Sequence, residues 1–207
     1  VNTLWFTAVA FAGGLLLGVV LALLKLSSIG PFRWIATAWI ELFRGLPAIL
    51  TIFAIAFILP IGLGVPGTKL GGPVVLGLIG LILVASAYMA ETIRAGIQAV
   101  PKGQTEAARS LGMSPMKTTF WIVVPQGFRI IIPPLTNEFV LLLKDTSLLF
   151  VAGSFIWSKE LTNFARDAST QNANGTPLIM AAALYLIVTI PLTRFSAYLE
   201  RRMSRQR

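Results

Sequence analysis

Glu138 and Asp145 lie seven residues apart in a largely apolar stretch, and this separation of two helical turns sets both carboxylates on one helix face. Asn137, Leu141 and Lys144 form the neighbouring stripe. Two acid–base pairs, Glu41 with Arg44 and Glu91 with Arg94, have the three-residue spacing that suits local pairing on a helix. The chain has no histidine and no cysteine, which removes thiolate metal sites, the usual zinc ligands and imidazole as a general base. No segment fits the P-loop pattern G-x-x-x-x-G-K-[S/T], so the residues give no reason to expect ATP on this chain. What remains is recognition by charge. An ionisable side chain at the centre of a membrane helix costs roughly 2.5 to 3.5 kcal/mol, so such residues face a cavity or a partner rather than lipid.

The elements that carry these residues belong in a bilayer. Over 207 residues the chain is 56% hydrophobic and 12% charged, with mean hydropathy +0.80. Its net charge of +9 comes from basic residues at the flanks of apolar spans, so it reads as membrane topology and not as a nucleic-acid surface. The chain starts at Val1, already at the edge of an apolar run, and the expectation is that some of the native N-terminus is absent. Leu4 to Leu24 is longer than a signal-peptide core and suits a span. Four more segments approach that length, giving spans at about 4–24, 34–59, 73–93, 126–144 and 178–198 within a single transmembrane domain over 1–207.

The second span should begin as an interfacial helix and enter the bilayer near Pro47. In the fourth, Pro133-Pro134 removes two backbone donors and should kink or unwind the helix. Between the last two spans, Leu148 to Ala165 reads as helical and partly apolar, either re-entrant or surface-lying. Gly14 and Gly18 form a small-xxx-small step, and Trp5, Trp34, Trp39, Trp121 and Trp157 suit interfacial anchoring, with core packing for one or two. Alternate threading of five spans puts Lys25, Arg33, Arg94, Lys102, Arg109, Lys117, Arg129, Arg194, Arg201, Arg202, Arg205 and Arg207 on one side, against Lys69, Lys144, Lys159 and Arg166 on the other. The positive-inside rule makes the richer side cytoplasmic, together with the loop after Pro101 and the C-terminus.

That loop has a definite internal order. Residues 103–112 read as a short helix after Pro101, with Gly112 as its C-terminal cap, and Ser114-Pro115 starts the helix that leads into the fourth span. Glu106-Ala107-Ala108, then Gly112, then nine residues to Ile122-Val123-Val124-Pro125 resembles the "EAA" loop of ABC importer permeases, with Val124 where the family usually has Leu. Arg44-Gly45-Leu46-Pro47 resembles the "RGTP" element of polar amino-acid permeases, with Leu46 replacing Thr. The segments 88–97, 133–139 and 143–148 are similar to the same subfamily.

The resemblance implies an all-α integral membrane permease of the type I ABC importer kind, with five transmembrane helices and a cytoplasmic coupling helix, in the bacterial inner membrane. The coupling residues carried over are Glu106, Ala107, Ala108, Arg109, Leu111 and Gly112. The implied partners are an ABC ATPase dimer, which would hold ATP and Mg while this chain binds no cofactor, a second permease subunit, an extracytoplasmic amino-acid-binding protein and the lipid bilayer. A zwitterionic amino acid needs a cationic or amide contact for its carboxylate and an acidic or carbonyl contact for its ammonium. Asn137, Glu138, Leu141, Lys144 and Asp145 are the candidate path, and Glu41, Arg44, Pro47, Pro133 and Pro134 the candidate gating or packing positions. Glu138 equally fits a structural ion pair. Three other functional readings stay open: a permease for another solute, such as methionine or phosphate, a non-transporting membrane assembly or signalling subunit, and an ion-coupled secondary carrier, against which no repeated half and no buried proton relay is visible.

Overall fold

The computed structural model describes residues 1–153 and 159–204, and among these every regular element is helical. In chain order they are α1 (Asn2–Leu26), α2 (Gly30–Gly45), α3 (Ala48–Phe53), α4 (Leu59–Gly62), α5 (Gly72–Gln98), α6 (Lys102–Ser110), α7 (Pro115–Thr118), α8 (Val124–Asp145), α9 (Leu161–Gln171) and α10 (Thr176–Ser204). Wide π-helical turns at Ala54–Ile58 and Thr119–Val123 join α3 to α4 and α7 to α8. Each ends two residues before a proline, Pro60 and Pro125. A proline has no N–H for the carbonyl four residues back, and the wider turn carries the helix past that gap.

The core is built on α1 and α5, which run side by side in the same direction. A Cβ at Gly14 would lie 2.8 Å from Ala85 Cβ, and one at Gly18 would lie 3.0 Å from Met89 Cβ. The small-xxx-small step is therefore a close-packing seam. Because α1 and α5 are parallel, the chain between them must return across the bundle once. It does so through α2 and the helix pair after it, bent by 106° at the Leu46-Pro47 break. The chain thus bends at Pro47, and before the bend α2 has its apolar side on the bundle through buried Ala36, Ile40 and Phe43.

Helix α8 returns antiparallel to α5. Its start lies against the end of α5, where a Cβ on Gly127 would sit 3.3 Å from Ile97 Cα, while Leu149 and Ala152 beyond its far end meet Gly77 near the start of α5. Helix α10 comes back along α8 and donates Ser196 Oγ to the Pro133 carbonyl at 3.2 Å. By length and apolarity alone, and among the described residues, α1, α5 and Thr176–Met203 of α10 suffice to cross a membrane, with the bent pair a fourth only if it is counted as one span. Helix α8 has 22 residues, about 33 Å at 1.5 Å per residue, but Gln126, Arg129, Asn137 and Glu138 keep it out of that class.

Two expectations need correction. Pro133 and Pro134 lie inside α8, which stays helical through them instead of unwinding. Buried Ile131, Pro133 and Leu135 hold this stretch in the bundle, so packing outweighs the two lost donors. Leu148–Ala165 is not one helix: a 3-10 turn covers Thr146–Ala152 and α9 begins only at Leu161. The remainder of that segment, with Trp157, lies outside the described residues. Among the tryptophans, half-buried Trp39 takes the core-packing role, lying on Phe43 at 4.8 Å and donating Nε1 to Ser86 Oγ at 3.3 Å, whereas Trp5, Trp34 and Trp121 are exposed.

Candidate functional site: an exposed helix and a polar stripe

Helix α6 stands off the bundle. Pro101 precedes it in an extended conformation, and Gly112 ends it at φ +82°, where a side chain would be strained. Gly112 N–H reaches Arg109 O at 3.0 Å and Met113 N–H reaches Ala108 O at 3.1 Å, closing the last turn. Ser114 then caps α7 by accepting from Lys117 N–H at 3.3 Å, with Pro115 at the first helical position as expected. The breakers on both sides make α6 a separate rigid piece.

Only Ala108 of α6 is buried. Glu106 and Ala107 are exposed, and the Glu106 carboxylate has no ion-pair partner among the described residues. Arg109 is tied back to the Met113 carbonyl at 2.5 Å. Leu111 is 85% exposed, and Met116, Phe120 and Trp121 follow it on exposed positions. An apolar side chain this exposed at the tip of a nine-residue helix gains nothing from its own subunit.

On α8, Pro134, Asn137, Leu141 and Lys144 form an exposed stripe at helical spacing. Glu138 and Asp145 flank it, half-buried. The two neighbouring stripes therefore differ in exposure: the amide and ammonium are exposed, and the carboxylates are half-buried. Among the described residues neither carboxylate forms an ion pair. The charges of Arg44 and Asp145 both act on Glu138. The local Glu41–Arg44 pair is not formed, because the Arg44 guanidinium instead lies over the Tyr88 ring at 5.5 Å while Glu41 is exposed. A cation over an aromatic face is held without consuming a carboxylate. Pro47 sits at the α2–α3 bend, Pro133 is buried against α10, and Pro134 is exposed.

Other polar groups escaped the sequence reading. Glu91 pairs with Arg94 at 2.7 Å as its spacing suggested, but also with Lys25 at 2.5 Å. Near the start of α1, Glu160 is 1% exposed and accepts from the N–H groups of Thr162 and Asn163 at 2.7 and 2.6 Å. Tyr185 of α10 donates to the same carboxylate at 3.2 Å. Burial pushes the Glu160 carboxyl above the usual glutamate range, against the opposing pull of those hydrogen bonds. The only local signal was an acid directly before a helix start, too common to single out.

Comparison with known proteins agrees with this geometry. Residues 14–205 match the family model described as "Binding-protein-dependent transport system inner membrane component". The chain is 37% identical to a probable glutamine ABC transporter permease of Bacillus subtilis (strain 168), over 99% of this chain and 91% of that protein. It is 36% identical to an arginine transport system permease of the same organism, over 97% of this chain and 89% of that one. The crystal structure of an amino acid ABC transporter with histidines superposes with a TM-score of 0.85 at 36% identity, over 97% of this chain and 90% of the other. Helix order, the stand-off helix and these matches agree: the chain belongs to the family of binding-protein-dependent transport system inner membrane components, as a permease subunit and not an enzyme.

Proposed function

We infer that this chain forms the translocation path of an ATP-driven importer for polar amino acids, of the glutamate, glutamine, arginine and histidine class, with α6 as its coupling helix. Members of the family act with ATPase subunits and substrate-binding proteins. The observation that carries the reading is α6 itself, a capped helix with one buried residue and an exposed Leu111 at its tip, which suits a groove on a separate ATPase. Small Ala107 permits close approach, Glu106 offers a charge, and Gly112 permits the turn. ATP and Mg belong to that partner.

The α6 end of the bundle carries Lys25, Arg33, Arg94, Lys102, Arg109 and Lys117, and by the positive-inside rule it is cytoplasmic, as is the C-terminus. The α8 stripe supports the path assignment. Asn137 and Lys144 are costly against lipid, so Asn137, Leu141 and Lys144 face a second permease subunit or the cavity between two subunits, with Glu138 and Asp145 at its edge. Arg44, Glu41 and the Pro47 bend suit gating, while Pro133 and Pro134 set the packing of α8. A cargo's ammonium would meet the carboxylates and its carboxylate the amide or cations.

The test is reconstitution with the ATPase and the binding protein. Gly112→Leu and Glu106→Trp should abolish uptake while the subunit remains in the membrane; uptake at the wild-type rate in either variant would count against the coupling role. Competition among glutamate, glutamine, arginine and histidine then identifies the cargo.

A further inference from the structure

A compact ion cluster joins two helices at the α6 end of the bundle. Lys25 is on the last turn of α1, and Glu91 and Arg94 are near the end of α5. Glu91 Oε1 meets Lys25 Nζ at 2.5 Å, and its Oε2 accepts from Arg94 Nη2 at 2.7 Å and Nε at 3.0 Å. Gln98 receives the remaining Arg94 nitrogen, one turn before α6 begins. The side chains of Lys25, Glu91 and Arg94 are only 21%, 17% and 28% exposed. One carboxylate thus bridges two cations on two parallel helices.

We propose that Glu91 is a positioning residue for coupling, binding α1 to α5 so that a displacement of α6 moves both helices together. The glycine seam from Gly13 to Gly18 joins the same two helices at mid-length, and the Gly96–Gly127 approach joins α5 to α8 on the far side of α6. Helix α6 is therefore anchored at both chain ends in one tightly packed unit of α1, α5 and α8. Without the Glu91 charge, Lys25 and Arg94 face each other as like charges and open the seam at the end where force enters. This inference rests on the transport reading, since it concerns how ATP hydrolysis is converted into uptake.

The experiment uses the reconstituted complex of permease, ATPase and binding protein, measuring uptake and ATP hydrolysis together. In Glu91→Gln, uptake per ATP should fall about tenfold, the size of a typical coupling effect, with hydrolysis and substrate KM near wild type. Lys25→Arg, which keeps both charges, should retain the wild-type ratio. The chain has no cysteine of its own, so a Lys25→Cys/Glu91→Cys pair joined by a short bis-maleimide should still transport, because the two helices move together. A wild-type ratio in Glu91→Gln, a parallel loss of hydrolysis and uptake, or a cross-link that blocks transport would overturn the proposal. If Glu91→Gln does not assemble, Lys25→Met is held to the same criteria. A wild-type complex whose hydrolysis ignores substrate would overturn the transport reading as well, whereas the other failures sink this inference alone.

Discussion

Helices α5 and α10 are near twins by hydropathy and opposites by environment. Their most apolar windows have mean hydropathies of 2.2 and 1.9, yet 61% of the α5 window is buried against 11% of the α10 window. Glycine accounts for much of the difference. Gly80 and Gly96 of α5 let neighbouring backbones approach, with a Cβ at Gly80 falling 3.0 Å from Ile52 Cα, and Gly77 admits the side chains of Leu149 and Ala152, whereas α10 contains no glycine. Lipid is as apolar as leucine, so hydropathy selects the bilayer but not the neighbours. Helix α10 is held by polar clips, Tyr185 on Glu160 and Ser196 on Pro133, and presents Ile179, Leu186, Ile187 and Ile190 outward.

Four perturbations test this contrast. Gly80→Leu should be the most severe, costing about 3 kcal/mol through overpacking against the α3 backbone, seen as loss of folded monomer in detergent. Glu160→Ala should cost about 1 to 2 kcal/mol by removing a helix cap and freeing Tyr185, read as faster amide exchange in α9 and α10. Ser196→Ala should cost about 1 kcal/mol. Ile187→Ala should stay within about 0.5 kcal/mol in the isolated subunit; a larger loss confined to the assembled complex would show that a protein partner, not lipid, covers that face of α10.

Protonation sharpens the same comparison. The Glu160 carboxyl lies above its usual range in the folded protein, so the folded state binds its proton more tightly than the unfolded one. The stabilisation is complete below the ordinary glutamate range and is lost as pH rises through the raised folded value. Exchange in α9 should quicken across that interval, and Glu160→Gln should flatten the response without changing exchange at the Gly14–Ala85 seam of α1 and α5.

The legible part of this fold was whatever is local in sequence. Run lengths located α1, α5 and α10, the Arg44-Gly45-Leu46-Pro47 break marked the bend, and Pro101 and Gly112 bracketed α6. Even the small-residue step at Gly14 and Gly18 named a true seam, though not its partner. Distant pairings were not legible: Lys25 meets Glu91 across 66 residues, and Arg44 preferred the Tyr88 ring to Glu41, three residues away. The proline pair misled because a local helix breaker was judged without the packing of Ile131 and Leu135 that overrides it. On α8 the spacing identified the right residues, but which side of the stripe turns inward depends on neighbours that no periodicity encodes.

The parallel pairing of α1 with α5 also bears on biogenesis. The notch formed by Gly13, Gly14 and Gly18 is filled by residues that follow about 70 positions later. At roughly 5 to 20 residues per second of synthesis, the first helix waits several seconds in the lipid with its packing groove empty. A nascent chain stalled before residue 72 would present that groove to chaperones, quality-control proteases or the wrong helix, which makes this interval the vulnerable moment in the subunit's assembly.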